Sequence, residues 1–531
     1  MTRIIVCDSI AEQGLELLRE AGEVVVRPGL SEAELVAEVG AFDAIIVRSA
    51  TQITAAVLEA ATSCKVIARA GVGIDNIDVA AATRRGILVV NSPAGNILAA
   101  AEQAVALMLS AARAIPQASA STKAGGWDRK TFVGRQIQGK TLGLVGLGNV
   151  GSEVARRACA LGMRVLAFDP YVTPERAAAA GAELAGFDEL LSASDFISLH
   201  TIATDETQGL IGARELALLR PGAILVNTAR GSLIDEQALI VGLREGKPTV
   251  AALDVFVEEP TRNAELLALP NVIATPHVGA MTHEAQLNVA LDAARQVVDV
   301  LAGRPARWPV NAPPLPPEAM QAVAPFLPLA EALGSLGHAL TQGPLRRVEL
   351  GCSADLSPQY LNYLAATALA QVLTGAADET INAINAPLLA RERGLELAHT
   401  LLDDDRGYTN LLQLRLHGEG ETTVSGALLD RERRRIVSID GYALDLPPEG
   451  FALLIWRKGP SRPGFIGAIG TLLGQAAVNI WAIQVSDEAV DDVGLMALTV
   501  AGLVPDEVLQ EIGKLDGVVR TRVIGFGPNR H

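Results

Sequence analysis

The strongest constraint on this chain is the run Thr141 to Gly151, TLGLVGLGNVG, together with Asp169 at the end of MRVLAFD. LGLVG has the continuous apolar character of a buried strand, Ser152 to Leu161 has a helical pattern, and RVLAF is a second apolar strand. Between the first strand and the helix, Gly146, Gly148 and Gly151 form G-x-G-x-x-G. Gly146 permits a tight turn, Gly148 lets backbone approach a pyrophosphate, and Gly151 lets helix and strand pack closely. The helix start then offers unpaired N–H groups to phosphate oxygens. Asp169 follows Gly151 by 18 residues (169 − 151) and can accept hydrogen bonds from an adenosine ribose. A glycine triplet alone is weak, but strand, helix and acid in this order specify a dinucleotide-binding unit. A carboxylate at that place repels a 2′-phosphate, so NAD is expected rather than NADP.

With 531 residues the chain has length for three or four domains. An apolar content of 49% gives ample core, and a net charge of −16 argues against nucleic acid or an anionic membrane as partner. An anionic substrate therefore needs locally placed arginines. Cys7, Cys64, Cys159 and Cys352 are far apart, form no metal-ligand spacing, and read as reduced thiols of a cytoplasmic protein. The start MTRIIVCDS reads as a first strand and not as a signal peptide, and no uninterrupted apolar run of about 18 residues predicts a membrane span.

Residues 1–95 alternate short apolar strands with helical patterns, which predicts a parallel α/β domain. Asn96 to Ile115 reads as a long apolar helix able to bridge two domains. The fingerprint sits mid-chain, as though a nucleotide domain (96–284) were inserted into a substrate domain (1–95, with a return helix in 285–308). The proline-dense run GRPARWPVNAPPLPP, 303–317, reads as a semi-rigid linker. Residues 309–450 hold this linker and an α+β domain, in which RRIVSIDGYAL reads as a strand and RERRR, 431–435, as a solvated hairpin turn. Residues 451–531 read as β-α-β-β-α-β, the ferredoxin-like split βαβ. Its open sheet face and exposed edges invite dimerisation. The expected fold class is thus α/β: a doubly wound NAD-binding domain inserted in a split α/β domain, then an α+β domain and a ferredoxin-like domain.

Three segments after the fingerprint each end an apparent strand: NTARGSLID with Arg230, DVFVEEP with Glu259 and TPHVGA with His277. Carboxyl ends of parallel strands form the crevice of a doubly wound sheet. Arg230 can grip a substrate carboxylate with two prongs and polarise a carbonyl. His277 can exchange a hydroxyl proton, and Glu259 beside it would favour the protonated imidazole. Taken singly, His277 could cap a loop, Glu259 could be a surface acid and Arg230 could pair with Asp235. Together and in this order they suit hydride transfer at a hydroxy acid.

These motifs resemble the D-2-hydroxyacid dehydrogenases, and within them the D-3-phosphoglycerate dehydrogenases. GLGNVG, NTARGSLID, DVFVEEP and TPHVGA stand where that family has its cofactor loop and its Arg, Glu and His catalytic set. The resemblance extends through ARAGVGIDNID and NSPAGNILAAAEQAVALML, past the linker into INAINAPLLARERGLEL of an intervening domain, and to a C-terminal ACT domain. It implies NAD-dependent oxidation of 3-phosphoglycerate to 3-phosphohydroxypyruvate, the entry to serine synthesis. It implies cofactor contacts at Asn149, Val150, Thr201, Thr228, Asp254 and Gly279, with Asp254 placed to meet the nicotinamide amide. It implies substrate contacts at Arg48, Arg69, Val72, Gly73, Arg230 and His277. It further implies a homodimer or homotetramer, and no metal. The chain departs from the family near Ala94–Gly95, where a Ser or Thr is usual, and at Gln103, where a His is usual. In the ACT loop Gly459 and Ser461 replace the usual His and Asn or Asp before Arg462-Pro463-Gly464, while Asn479 is kept as an effector contact. Weak serine feedback is therefore expected. The competing expectations are another 2-hydroxyacid enzyme, acting on hydroxypyruvate or 2-hydroxyglutarate, and an NADH-sensing interaction protein on the same fold.

Overall fold

The computed structural model describes residues 2–313, 317–353, 358–374, 381–402, 407–429, 433–459, 463–486, 490 and 492–526. It divides into two compact units, one of residues 1–9, 15–91 and 293–531, the other of residues 10–14 and 92–292.

In the first unit β1 (Arg3–Val6), β2 (Glu23–Val26), β3 (Ala44–Val47), β4 (Val66–Arg69) and β5 (Leu88–Val90) form a parallel sheet of order β2-β1-β3-β4-β5. Runs such as AIIV are buried throughout, as strands covered on both faces must be. The order reverses between β1 and β3, which opens a crevice at their carboxyl ends. The proline-dense run departs from the expected linker. The Val310 N–H donates to the Val89 carbonyl at 2.8 Å, and the Asn311 side chain bonds the Val89 N–H (2.8 Å) and the Ile87 carbonyl (2.9 Å). Residues as far as Asn311 are thus docked on β5.

The second unit holds β6 (Thr141–Val145), β7 (Arg164–Phe168), β8 (Glu183–Leu184), β9 (Phe196–Leu199), β10 (Ile224–Asn227), β11 (Val250–Leu253) and β12 (Val272–Ala274). All are parallel, in the order β12-β11-β10-β9-β6-β7-β8. This is a doubly wound sheet whose order reverses between β6 and β9, beside the fingerprint. The apolar helix Ile97–Arg113 lies wholly in this unit, where Ala101, Ala104, Met108 and Ala111 join the core. The helix His283–Leu301 spans the position where the chain passes back to the first unit.

The rest of the first unit builds two further sheets. β13 (Arg347–Cys352), β14 (Glu396–Leu401), β15 (Leu411–His417), β16 (Glu421–Leu429), β17 (Arg433–Ile439) and β18 (Tyr442–Leu446) run in the order β14-β13-β15-β16-β17-β18. Only the β13–β14 pair is parallel. RRIVSIDGYAL is therefore a hairpin and not one strand. Asp440 (φ 45°) and Gly441 (φ 87°) take the two positive φ values of a tight Asp-Gly turn. Of the RERRR cluster, Arg433–Arg435 begin β17 and the first two residues lie outside the described ones.

The last sheet, β19 (Gly450–Lys458), β20 (Ile480–Val485), β21 (Val493–Val500) and β22 (Val518–Phe526), is antiparallel in the order β20-β21-β19-β22. Its helices Phe465–Gln475 and Asp506–Gly513 pack on one face. The other face is not open, contrary to expectation. Leu454, Trp456, Leu495, Ala497 and Ile524 join the core of the preceding domain, and Arg520 donates to the Leu340 carbonyl at 2.7 Å. A face bearing Leu, Trp and Ile loses free energy by staying wet, and the helix Leu327–Leu340 of the same chain covers it. The helical run Ala319–Leu340 is long and apolar enough to cross a membrane, but Leu329, Leu333 and Leu336 are fully buried in this shared core.

Candidate active site

The fingerprint loop has the shape its glycines require. Gly146 lies at φ 96°, and a Cβ there would stand 2.6 Å from the His200 carbonyl oxygen. A Cβ on Gly151 would overlap the Gly146 carbonyl, whereas one on Gly148 would meet nothing within 4 Å. The loop is therefore tight inside and open outward at Gly148. The helix Asn149–Ala160 begins there without a side-chain cap, so the N–H groups of Asn149 and Val150 remain available to an anion. Asp169 Oδ2 accepts the Leu147 N–H and Oδ1 the Tyr171 N–H, each at 2.9 Å. Each oxygen keeps a lone pair for a ribose hydroxyl. Past β10, the Thr228 hydroxyl is buried with no hydrogen-bond partner among the described residues. Thr201 is half-buried past the end of β9. This donor and acceptor set fits NAD. His200, which carries no motif signal in the sequence, lies behind the loop with Nε2 2.8 Å from Ser198 Oγ. Burial pushes its pKa down to about 4, so the ring adds no positive charge and anion binding rests on backbone N–H groups.

Asp169→Ala is expected to weaken NAD at least about tenfold, since a charge-assisted hydrogen bond is worth roughly 1.5–3 kcal/mol. It should also narrow the preference over NADP. Isothermal titration with both nucleotides checks this, and a wild-type chain that already prefers NADP would contradict it.

Arg230, Glu259 and His277 all lie beyond the carboxyl ends of the adjacent strands β10, β11 and β12. His277 Nδ1 stands 2.7 Å from Glu259 Oε2. An ionised carboxylate only accepts, so Nδ1 carries the proton and Nε2 of the neutral ring is left as a base. Glu259 Oε1 accepts the Phe256 N–H at 3.1 Å. Burial acts to raise the Glu259 pKa, yet the hydrogen bonds from His277 and Phe256 and the charges of His277 and Arg230 hold it below its ordinary value. The Arg230 carbonyl accepts from the buried Asn227 side chain at 2.8 Å. Asp235 caps the next helix, accepting from the Gln237 and Ala238 N–H groups.

His277 has φ 53°, a left-handed conformation unusual for a residue with a side chain. Asp254 holds it there. This carboxylate is fully buried and accepts from Thr275 Oγ1 (2.5 Å), the Val278 N–H (2.9 Å) and the Gly279 N–H (2.8 Å). Its carbonyl accepts the His277 N–H at 2.9 Å. Gln103, standing where a His is usual, donates to the same Thr275 hydroxyl at 3.3 Å. Asp254 and Gly279, expected as cofactor contacts, thus also bond each other and frame the histidine loop.

In the first unit Arg48 follows β3 and Arg69 ends β4, in register with Val47. The Arg48 N–H donates to Asp8 Oδ2 (2.5 Å), across the reversal between β1 and β3. Burial pushes the Arg48 guanidinium pKa down, partly opposed by Asp8. A Cβ on Gly71 would overlap the Arg69 guanidinium, so that group lies against the Gly71 backbone. Val72 is partly exposed, its carbonyl accepting from Asn91 at 2.7 Å, and Gly73 follows it on the same loop.

In the last sheet domain the Gly459 N–H donates to the Asp492 carbonyl (2.9 Å), and the Asn479 carbonyl accepts the Ala501 N–H (2.9 Å). Ser461 and Arg462 lie outside the described residues. No group of three or more potential metal ligands exists among the described residues.

Residues 105–279 match the family model of the D-isomer specific 2-hydroxyacid dehydrogenase NAD binding domain, and residues 322–440 that of the D-3-phosphoglycerate dehydrogenase intervening domain. The chain is 44% identical to a D-3-phosphoglycerate dehydrogenase of Synechocystis sp. over 98% of its length and 94% of that protein. It is 41% identical to one of Archaeoglobus fulgidus over 97% of its length and 98% of that protein. Among solved structures it is similar to the TT0316 protein from Thermus thermophilus, at 37% identity and a TM-score of 0.55, over 58% of this chain and all of that one. The chain belongs to the D-3-phosphoglycerate dehydrogenase family of the D-isomer specific 2-hydroxyacid dehydrogenases.

Proposed function

We propose that this chain oxidises 3-phospho-D-glycerate to 3-phosphohydroxypyruvate with NAD, the first step of L-serine biosynthesis. The observation that carries the reading is the Glu259–His277 pair, 2.7 Å apart beyond β11 and β12 of an NAD-binding sheet. Bound NAD supplies the hydride acceptor. His277 Nε2 takes the proton of the substrate hydroxyl, and Glu259 fixes the tautomer and balances the charge that develops on the ring. Arg230 grips the substrate carboxylate, and Arg48 and Arg69, with the backbone at Val72 and Gly73, hold the phosphate.

The near full-length match to curated relatives favours this reading over a shorter 2-hydroxyacid dehydrogenase, since the TT0316 structure covers only 58% of the chain. An NADH-sensing protein has no need of a base held on a carboxylate. The test is NAD reduction with 3-phosphoglycerate, 2-hydroxyglutarate and glycerate side by side. Turnover highest on the phosphorylated acid supports the proposal, and a clear preference for either other acid overturns it. The proposed partition is 1–95 with 285–308 for substrate, 96–284 for NAD, 309–450 for the linker and intervening domain and 451–531 for the ACT domain. The proposed setting is cytoplasmic, supported by the buried thiols of Cys7 and Cys64, which form no disulfide. A homodimer or homotetramer is supported by the exposure of Trp127 (81%) and Val133 (84%) in one unit and of Trp481 (61%) on the edge strand β20.

Serine should inhibit weakly, with half-inhibition in the millimolar range or above. Gly459 offers no side chain to an amino acid ligand, and Ser461 offers a shorter group than an amide. Each unmet polar partner costs about 1–3 kcal/mol, so two shift affinity by roughly one and a half to four decades. Steady-state inhibition by serine measures this, and half-inhibition at micromolar serine would sink it.

A further inference from the structure

The first unit holds a cavity of about 1190 Å³. One wall is the amino ends of β4 and β5, opposite the sheet edge that bears Arg48 and Arg69. The other wall comes from the chain beyond residue 300. The two walls are pinned together where Asn382 Nδ2 donates to the Gly86 carbonyl (2.7 Å) and Asn385 Nδ2 to the Arg84 carbonyl (3.2 Å). A pocket of this size holds a nucleotide-sized molecule.

Its lining runs against the charge of the chain. In a protein of net charge −16 the charged lining residues are Lys65, Arg84, Arg85 and Arg304 against the single carboxylate Glu331. Lys65 is paired with Asp43 at 3.2 Å and Arg304 with Asp299 at 2.7 Å. Arg84 and Arg85 pair with no carboxylate among the described residues. Both are exposed, at the end of the helix Val79–Arg84 and its C-cap, so their guanidinium groups are open to solvent at the rim of the cavity and able to turn to an anion there. The rest of the lining is largely apolar, with Val300, Met320 and Leu327 half-buried along it.

We propose that this cavity binds a small organic phosphate, its phosphate on Arg84 and Arg85 and its apolar or aromatic body against Val300, Met320 and Leu327. Because the ligand touches both walls, it stabilises their docking and raises the melting temperature.

The test uses the full chain with saturating NAD, which blocks the fingerprint loop. The probe is 8-anilinonaphthalene-1-sulfonate, an aromatic anion, followed by fluorescence and displaced with AMP or inorganic phosphate. One saturable site is expected, with AMP displacing the probe and inorganic phosphate doing so only at much higher concentration. In the double variant Arg84→Gln, Arg85→Gln the probe dissociation constant should rise at least about tenfold, as lost charge-assisted contacts imply. Met320→Gln should weaken the probe and AMP but leave phosphate unchanged. Near-wild-type melting and NAD affinity in each variant establish that it is folded. A titration unchanged in the double variant, or a wild-type chain with no saturable site, overturns the proposal. Neither readout depends on turnover, so the result is separate from the fate of the proposed reaction.

Discussion

His277→Ala is expected to lower kcat on 3-phosphoglycerate by at least about 100-fold, because a positioned general base contributes roughly 10²–10⁴. With Nδ1 bonded to Glu259, Nε2 is the ring nitrogen left to take the hydroxyl proton, and alanine leaves no group in its place. KM should change far less, since the proposed carboxylate and phosphate grips at Arg230, Arg48 and Arg69 remain. Glu259→Gln should cost less than His277→Ala, because a glutamine oxygen can still accept from Nδ1 while the negative charge is gone. Steady-state kinetics with saturating NAD decide it, and a His277→Ala enzyme with near-normal kcat/KM removes the assignment. The pH dependence follows from the lowered Glu259 pKa. A carboxylate whose folded pKa is depressed contributes above its unfolded value and is lost only as pH falls through the folded one. Glu259 thus stays ionised across the neutral range, and an acid limb above pH 5 does not belong to it.

Much of this is legible in the sequence where local chemistry and the tertiary outcome agree. Gly146 and Gly151 sit where a Cβ would strike backbone, so the fingerprint reports a steric fact. The inner parallel strands β3, β9 and β10 are buried on both faces and therefore read as continuous apolar runs. What is not legible depends on partners distant in sequence. Nothing in TPHVGA announces that His277 adopts φ 53°, and nothing near Asp254 announces that its carboxylate holds that loop. The apolar residues on the second face of the last sheet, Leu454 and Trp456, read equally as a dimer surface or as core. Their partner is the helix Leu327–Leu340, more than a hundred residues earlier. The hairpin at Asp440–Gly441 differs in kind, since the Asp-Gly signal is present and the apolar run around it masks the turn. The proline-dense run reads as a linker because its docking on β5 rests on Asn311 side-chain bonds, which leave no periodicity.

Arg69→Ala and Arg48→Gln should each depress kcat/KM for 3-phosphoglycerate about 10- to 100-fold, while turnover of unphosphorylated glycerate changes little. The magnitude is that of one charge-assisted contact, roughly 1.5–3 kcal/mol. Both guanidinium groups belong to adjacent strand ends, and that of Arg48 stands at the reversal between β1 and β3 where a doubly wound sheet places its ligands. Glutamine at 48 keeps the backbone bonds to Asp8 and Asn76, so a folding defect is not built into that variant. Gly71→Ala provides an independent check, because its Cβ would overlap the Arg69 guanidinium and displace it with no change of charge. If Arg69 holds the phosphate by position, Gly71→Ala should reproduce the substrate-selective loss. If it acts only through the general field of the sheet edge, moving it slightly should matter little. Equal losses on the phosphorylated and unphosphorylated acids in all three variants would assign these residues to the architecture of the crevice and leave the phosphate to be held elsewhere.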